Sequence, residues 1–255
     1  MAGGSTTFLP QRDALPPVLP RTGPISKHER LEAPGDGTTK RALLTIDMTN
    51  DFTLKSFNPD LAFDGAQAIV PEIRRLQDAF LDANLPVIYS TDRHLPTDFE
   101  LKKWGPHSMK GSVGSEIVEG LRTDGVHTLE RNWSPQDVEM VNAEHLLWEV
   151  EKGTYSLFTD NGGTPTAMDS VLRSLGFEPG DELYITGVHT NCCDMHAAMD
   201  AFFRGYRPVT VRDATAGFAD PDGDLGMGPD EALSYARYWY NAEIRTLDEV
   251  VKGLT

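Results

Sequence analysis

From residue 41 onward, short apolar runs alternate with stretches in which apolar residues recur at helical spacing. Residues 42–46 (ALLTI) form a continuous run that ends in Asp47, the pattern of a strand buried on both faces. Segments 85–91 (LPVIYST), 146–150, 183–188 and 209–211 read the same way. Between them, residues 66–83 place Ile69, Ile73, Leu76, Phe80 and Leu81 at near-helical intervals, and 166–175, 193–204 and 229–240 predict three further helices. Strands alternating with helices predict an α/β fold with a parallel sheet covered on both faces. No internal repeat or second domain is visible, so 41–255 reads as one domain. Residues 1–40 break the pattern: Pro10, Pro16, Pro17, Pro20 and Pro24 are scattered among polar residues and glycines without a period. That segment is expected to be an extended or disordered N-terminal arm.

Composition narrows the function classes. The chain has 255 residues, enough for one well-buried core, and a formal net charge of -16. Such a charge argues against nucleic acid or an anionic membrane as partner, because phosphate binding needs a basic face. No stretch approaches the ~20 apolar residues of a membrane helix, and the N-terminus lacks the basic and apolar regions of a secretory signal. The two cysteines, Cys192 and Cys193, are adjacent, a poor arrangement for a structural disulfide. A reducing, cytoplasmic setting is the expectation.

In parallel sheets, ligands bind at the carboxyl ends of the strands. Those positions hold Asp47, then Asp92 and His94, then Lys152, then the run 187–193 (GVHTNCC). Taken singly, Asp47 reads equally as a turn cap, Lys152 as a solvated lysine and a cysteine as a small buried hydrophobe. Together they make a coherent set for acyl transfer. A thiol where a helix begins near Cys193 feels the positive end of the dipole, and a nearby ammonium adds to it. Both favour the thiolate and lower its pKa toward neutrality. A carboxylate such as Asp47 accepts the thiol proton and later hands it to a leaving amine. Spare N–H groups at the helix start hold the oxyanion. No Gly-x-Ser-x-Gly is present to support a serine nucleophile.

These residues carry a resemblance to the isochorismatase-like cysteine hydrolases. Segment 44–52 (LTIDMTNDF) resembles that family's D-M-Q-N-D-F signature, and 152–158 (KGTYSLF) its K-x-x-Y-S-x-F motif. Segment 187–193 is similar to its G-V-x-T-[DN]-x-C motif, which selects Cys193 over Cys192. The resemblance covers about 41–245. It implies a Rossmann-like, three-layer αβα fold with a six-stranded parallel sheet, a catalytic set of Asp47, Lys152 and Cys193, and homo-oligomers, dimers or tetramers, in which neighbours approach the active site. It also implies a cis peptide between Val188 and His189 that aims the His189 N–H, with that of Cys193, at the oxyanion. The sequence departs from the family pattern at Thr49, usually glutamine, at Cys192, usually aromatic or aliphatic, and at Asp194, usually valine.

Asp92 and His94, with Glu100 and His107 further on, form a reasonable oxygen and nitrogen ligand set for one divalent zinc, iron or manganese ion. Asp and His at a strand end also serve simply as partners of the backbone. Within the family the arrangement resembles the nicotinamidase subgroup, which implies Asp92, His94, Glu100 and His107 as ligands and Phe52, Trp104 and Tyr155 around the substrate ring. In core packing these aromatics would have no such role. His196 reads as a structural helix residue. The expected function is a cysteine-dependent amidohydrolase converting nicotinamide to nicotinate and ammonia. The alternatives are another small-amide or ureide hydrolase, an isochorismatase-type enzyme of the same fold, and a non-catalytic binding protein.

Overall fold

In a computed structural model the described residues are 39–141, 144–219 and 226–254. The arm therefore lies outside the described residues except for its last two. The strands are β1 (Arg41–Ile46), β2 (Val87–Asp92), β3 (His127–Leu129), β4 (Leu147–Lys152), β5 (Glu182–Val188), β6 (Arg207–Ala216) and β7 (Glu243–Arg245). The helices are α1 (Asn50–Thr53), α2 (Asp64–Ala68), α3 (Val70–Asp82), α4 (Leu101–Trp104), α5 (Pro135–Glu139), α6 (Met168–Ser174), α7 (Cys193–Phe203), α8 (Pro229–Trp239) and α9 (Leu247–Leu254).

The strands pair in the order β3-β4-β2-β1-β5-β6-β7, every pairing parallel. Among the described residues the sheet thus has seven strands, not the six that the resemblance implies. The run-and-period reading did not see β3 and β7 because each is three residues long, too short to show a period. The helix expected over 66–83 is divided into α2 and α3, with Pro71 in the first turn of α3. Proline is tolerated there because that turn's N–H groups have no intrahelical acceptor.

Alternation along the strands builds two cores. Ala42, Leu44 and Ile46 of β1 face one way and join Trp148, Val150, Leu183 and Ile185 under α6, α7 and α8. Leu43 faces the other way with Val87, Tyr89, Tyr184 and Val209, under Ile73, Leu76 and Phe80 of α3 and Val250 of α9. With its central strands covered on both faces, the sheet carries apolar runs instead of alternation, which is why those strands were legible.

Register places the site. Ile46 lies opposite both Ser90 and Gly187, and Asp92 lies opposite Lys152. The residues that leave β1, β2, β4 and β5 therefore emerge side by side. Gly187 has φ 120°, and a Cβ there would overlap the carbonyl oxygen of Ile46. A glycine at this place in the motif is what lets β5 run this close to β1.

Candidate active site

Asp47 is the first residue past β1 and takes φ 50°, uncommon for a side chain other than glycine. Its N–H bonds the Ser90 carbonyl at 2.8 Å, and its Oδ1 accepts the Asp92 N–H at 3.0 Å. Lys152, wholly buried, donates to Asp47 Oδ2 at 2.9 Å and to Asp92 Oδ1 at 2.5 Å. Cys193 opens α7, and its thiol lies beside the Asp47 carboxylate. Asp47, Lys152 and Cys193 thus meet from three strand ends. The Val188–His189 peptide is cis. Val188 is fully buried, while the His189 ring bonds the Leu61 carbonyl through Nε2 at 3.1 Å.

The electrostatics correct one expectation. The Cys193 thiol is pushed well above its usual value, first by its hydrogen bond with the Cys192 thiol and then by burial. Lys152 works the other way but is already shared by two carboxylates, so dipole and ammonium do not produce a resting thiolate. Burial and the Asp92 charge raise Asp47 to about 6, against the pull of Lys152. Burial disfavours the Asp92 carboxylate, yet Lys152 and His94 hold it well below the usual range. Burial disfavours the Lys152 ammonium too, but Asp47 and Asp92 hold it well above the usual lysine range. A thiol that holds its proton thus lies beside a carboxylate that titrates close to neutrality, an arrangement suited to proton transfer during attack.

A second cluster adjoins the first. One ligand atom from each of Asp92, His94, Glu100 and His107 can be chosen so that all lie within 4.8 Å of one another, and all four residues are buried. His94 Nδ1 faces Asp98 Oδ2 at 3.0 Å, and Arg131 holds the same carboxylate at 2.6 Å. An ionised carboxylate only accepts, so Nδ1 carries a proton. Burial opposes the charged ring, but Asp92 and Asp98 raise His94 to about 9, so an arriving ion would displace the proton on Nε2. That Nε2 is buried without a hydrogen-bond partner. His107 Nδ1 is likewise engaged by the Gly105 carbonyl at 2.9 Å, leaving its Nε2 beside Glu100 at 3.9 Å. Imidazoles fixed through one nitrogen, with the other aimed at carboxylates, are what a divalent metal requires. The residues present fit such an ion. Burial and the Asp92 charge raise Glu100 to about 7, while burial lowers His107.

Both clusters open into one cavity of about 400 Å³, lined by Asp92, Glu100, His107, His189 and Cys193 among others. Phe52, Trp104 and Tyr155 line it too, with Trp104 Nε1 donating to the Tyr155 hydroxyl at 2.7 Å. Asp47 and Lys152 sit behind this surface, exposed by 1% and 0%. Sequence reasoning missed Asp98 and Arg131, which brace His94, and the walls formed by Leu61, Cys192, Met195, Phe218 and Met227. Asp98 lies four residues after His94, a spacing that could have flagged it. Arg131 comes from a loop with no comparable signal.

The sequence matches the model of the isochorismatase domain over residues 41–135 and 143–228. The chain belongs to the isochorismatase family. It is 29% identical over 183 residues to an uncharacterized isochorismatase family protein, PncA, of Bacillus subtilis, covering 70% of this chain and 87% of the relative. Nicotinamidase 3 of Arabidopsis thaliana is 30% identical over 181 residues, 69% of this chain and 73% of the relative. Among solved structures, the N-carbamoylsarcosine amidase of Thermoplasma acidophilum superposes with a TM-score of 0.63 at 30% identity, covering 82% of this chain and 97% of that one.

One departure from the isochorismatase-family pattern is buried next to Cys193. Asp194 is 2% exposed, and its Oδ1 has no partner. Its Oδ2 accepts from Thr215, which also bonds Thr190. Burial, and secondarily the Asp47 charge, raise its pKa to about 7, with Thr215 and Lys152 opposing. An acid whose folded pKa exceeds its unfolded value costs stability progressively as pH rises from about 4 to about 7, because only the folded chain then keeps the proton. Asp194→Asn, neutral at every pH, is expected to gain melting temperature relative to wild type across that window and to hold the gain above it. Thermal unfolding of both proteins at pH 4.5, 6 and 8 tests this; a constant difference would contradict it.

Proposed function

We propose that the protein is an amide hydrolase of nicotinamidase type, converting nicotinamide and water to nicotinate and ammonia through a thioester on Cys193. The observation that carries this reading is the buried Asp92, His94, Glu100 and His107 quartet opening into the same cavity as Cys193. A divalent ion held by those four residues would supply a Lewis acid able to accept a ring nitrogen and orient the substrate.

The remaining chemistry belongs to the chain. Asp47 takes the thiol proton as the Cys193 sulfur attacks the amide carbon. The N–H groups of His189 and Cys193 hold the developing oxyanion, following the Val188–His189 turn, while Lys152 keeps Asp47 oriented and balances its charge. Phe52, Trp104 and Tyr155 flank the ring. The proton on Asp47 passes to the departing ammonia. Water then gives a proton to Asp47 as its oxygen adds to the thioester, nicotinate leaves, and the thiol is restored.

The purified protein is expected to hold one divalent metal ion per chain by elemental analysis, and His94→Ala to lose it. Ammonia release from nicotinamide by the metal-loaded protein is the test of substrate. No release at any metal loading would sink the reading. The likeness to an N-carbamoylsarcosine amidase favours a second reading, hydrolysis of a small ureide at Cys193. Turnover of that ureide by the metal-stripped protein would select it.

A further inference from the structure

The metal quartet, Cys193 and three aromatics account for the floor of the cavity but not for its volume of about 400 Å³. That volume lies in the range that encloses ligands of drug size, and it is several times what one six-membered ring fills. Beyond the floor, the wall carries sulfur: Cys192, Met195 and Met227 all line it, and all are half-buried. Cys192 caps α7 and Met195 lies in its first turn. Met227 stands just before α8, held by the Asn191 side-chain amide, which donates to the carbonyls of Met227 at 2.9 Å and Phe218 at 3.2 Å.

Neither methionine has a part in the acyl transfer described above, and Cys192 enters it only through its effect on the Cys193 thiol. Thioethers and thiols adapt to irregular outlines and contact ring edges favourably. A wall made of them therefore suits a second aromatic unit better than a polar chain. The Asn191 amide N–H groups are engaged by the backbone, so this wall offers an incoming group shape and polarisability in place of those donors. At the rim the Lys103 ammonium lies 4.6 Å from the centre of the Trp104 ring, extending the aromatic side of the cavity outward.

We infer that the substrate class is an extended heteroaryl carboxamide: a pyridine-3-carboxamide unit on the floor, bearing a second ring against Cys192, Met195 and Met227. This rests on the nicotinamidase-type reading. The chemistry is unchanged, with the amide C–N bond broken, ammonia released and the carboxylate formed. Met195 and Met227 are the residues that set specificity.

The test uses the metal-loaded full-length protein and follows ammonia release from nicotinamide, 5-phenylnicotinamide and quinoline-3-carboxamide. The two-ring amides are expected to have kcat/KM at least equal to that of nicotinamide. Met195→Ala and Met227→Ala are each expected to lower the ratio of two-ring to one-ring kcat/KM about tenfold. Hydrolysis of nicotinamide with the two-ring amides about 100-fold slower or worse, or a ratio that neither substitution moves, would overturn the inference. Turnover of the two-ring amides alone would support it and remove the single ring as substrate. If none of the three is hydrolysed faster than by Cys193→Ala protein, the nicotinamidase-type reading itself fails, and this inference with it.

Discussion

Under the proposed mechanism, Cys193→Ala is expected to lower kcat for nicotinamide by roughly 10⁴-fold or more, because the thiol would form the covalent intermediate and no other group could replace it. Cys192 is the nearest candidate, being the adjacent residue. It caps α7 instead of opening it, and the thiol that acts on Asp47 is that of Cys193. Cys192→Ala should therefore remain active where Cys193→Ala does not. Steady-state ammonia release from the two variants, with metal content matched, decides the matter. Intact-protein mass spectrometry after rapid acid quench gives a second readout, an acyl adduct present on wild type and absent from Cys193→Ala. Full activity in the Cys193 variant would place the chemistry elsewhere.

Lys152→Met is expected to produce the largest loss of stability. The ammonium is wholly buried between two carboxylates, at 2.9 Å from Asp47 and 2.5 Å from Asp92. Methionine keeps most of the stem but leaves two acids facing each other in a dry site. Removing one partner from a buried ion cluster costs about 3–5 kcal/mol. For a domain of this size that corresponds to a fall in Tm of roughly 6–20 °C. The measurement belongs in metal-free protein, so that a lost metal does not contribute. The deficit should shrink as pH falls toward about 6, because without the lowering effect of Lys152 the Asp47 carboxyl takes up its proton above the value of about 6 it has beside the ammonium, which relieves the repulsion between the carboxylates. A change in Tm of only a degree or two would mean that the acids are solvated or paired in some other way.

Several parts of this protein were legible from local pattern. The five longest strands show as apolar runs because both faces of the sheet are covered, whereas the division of the stretch 66–83 into α2 and α3 was not read from its helical spacing. The candidate residues were legible for a different reason. A parallel sheet presents the ends of its strands on one edge, so the residue after each run is placed there by chain direction alone. That is how Asp47, Asp92 and Lys152 could be grouped before their contacts were known.

Other features depend on partners far apart in the chain, and only packing reveals them. The chemistry of the Cys193 thiol was expected from its helix, but the neighbouring Cys192 and burial push its pKa the other way. The bracing of His94 runs through Arg131, and β3 and β7 exist only because they pair with longer neighbours. The sulfur wall joins Met195 of α7 to Met227 before α8. By itself the sequence determined the fold class and the residues that end the strands, since periodicity and chain direction are local properties. The tertiary structure decided which of those residues touch, which carry a proton and how much room lies above them, because distance and dielectric are set by what packs around each group.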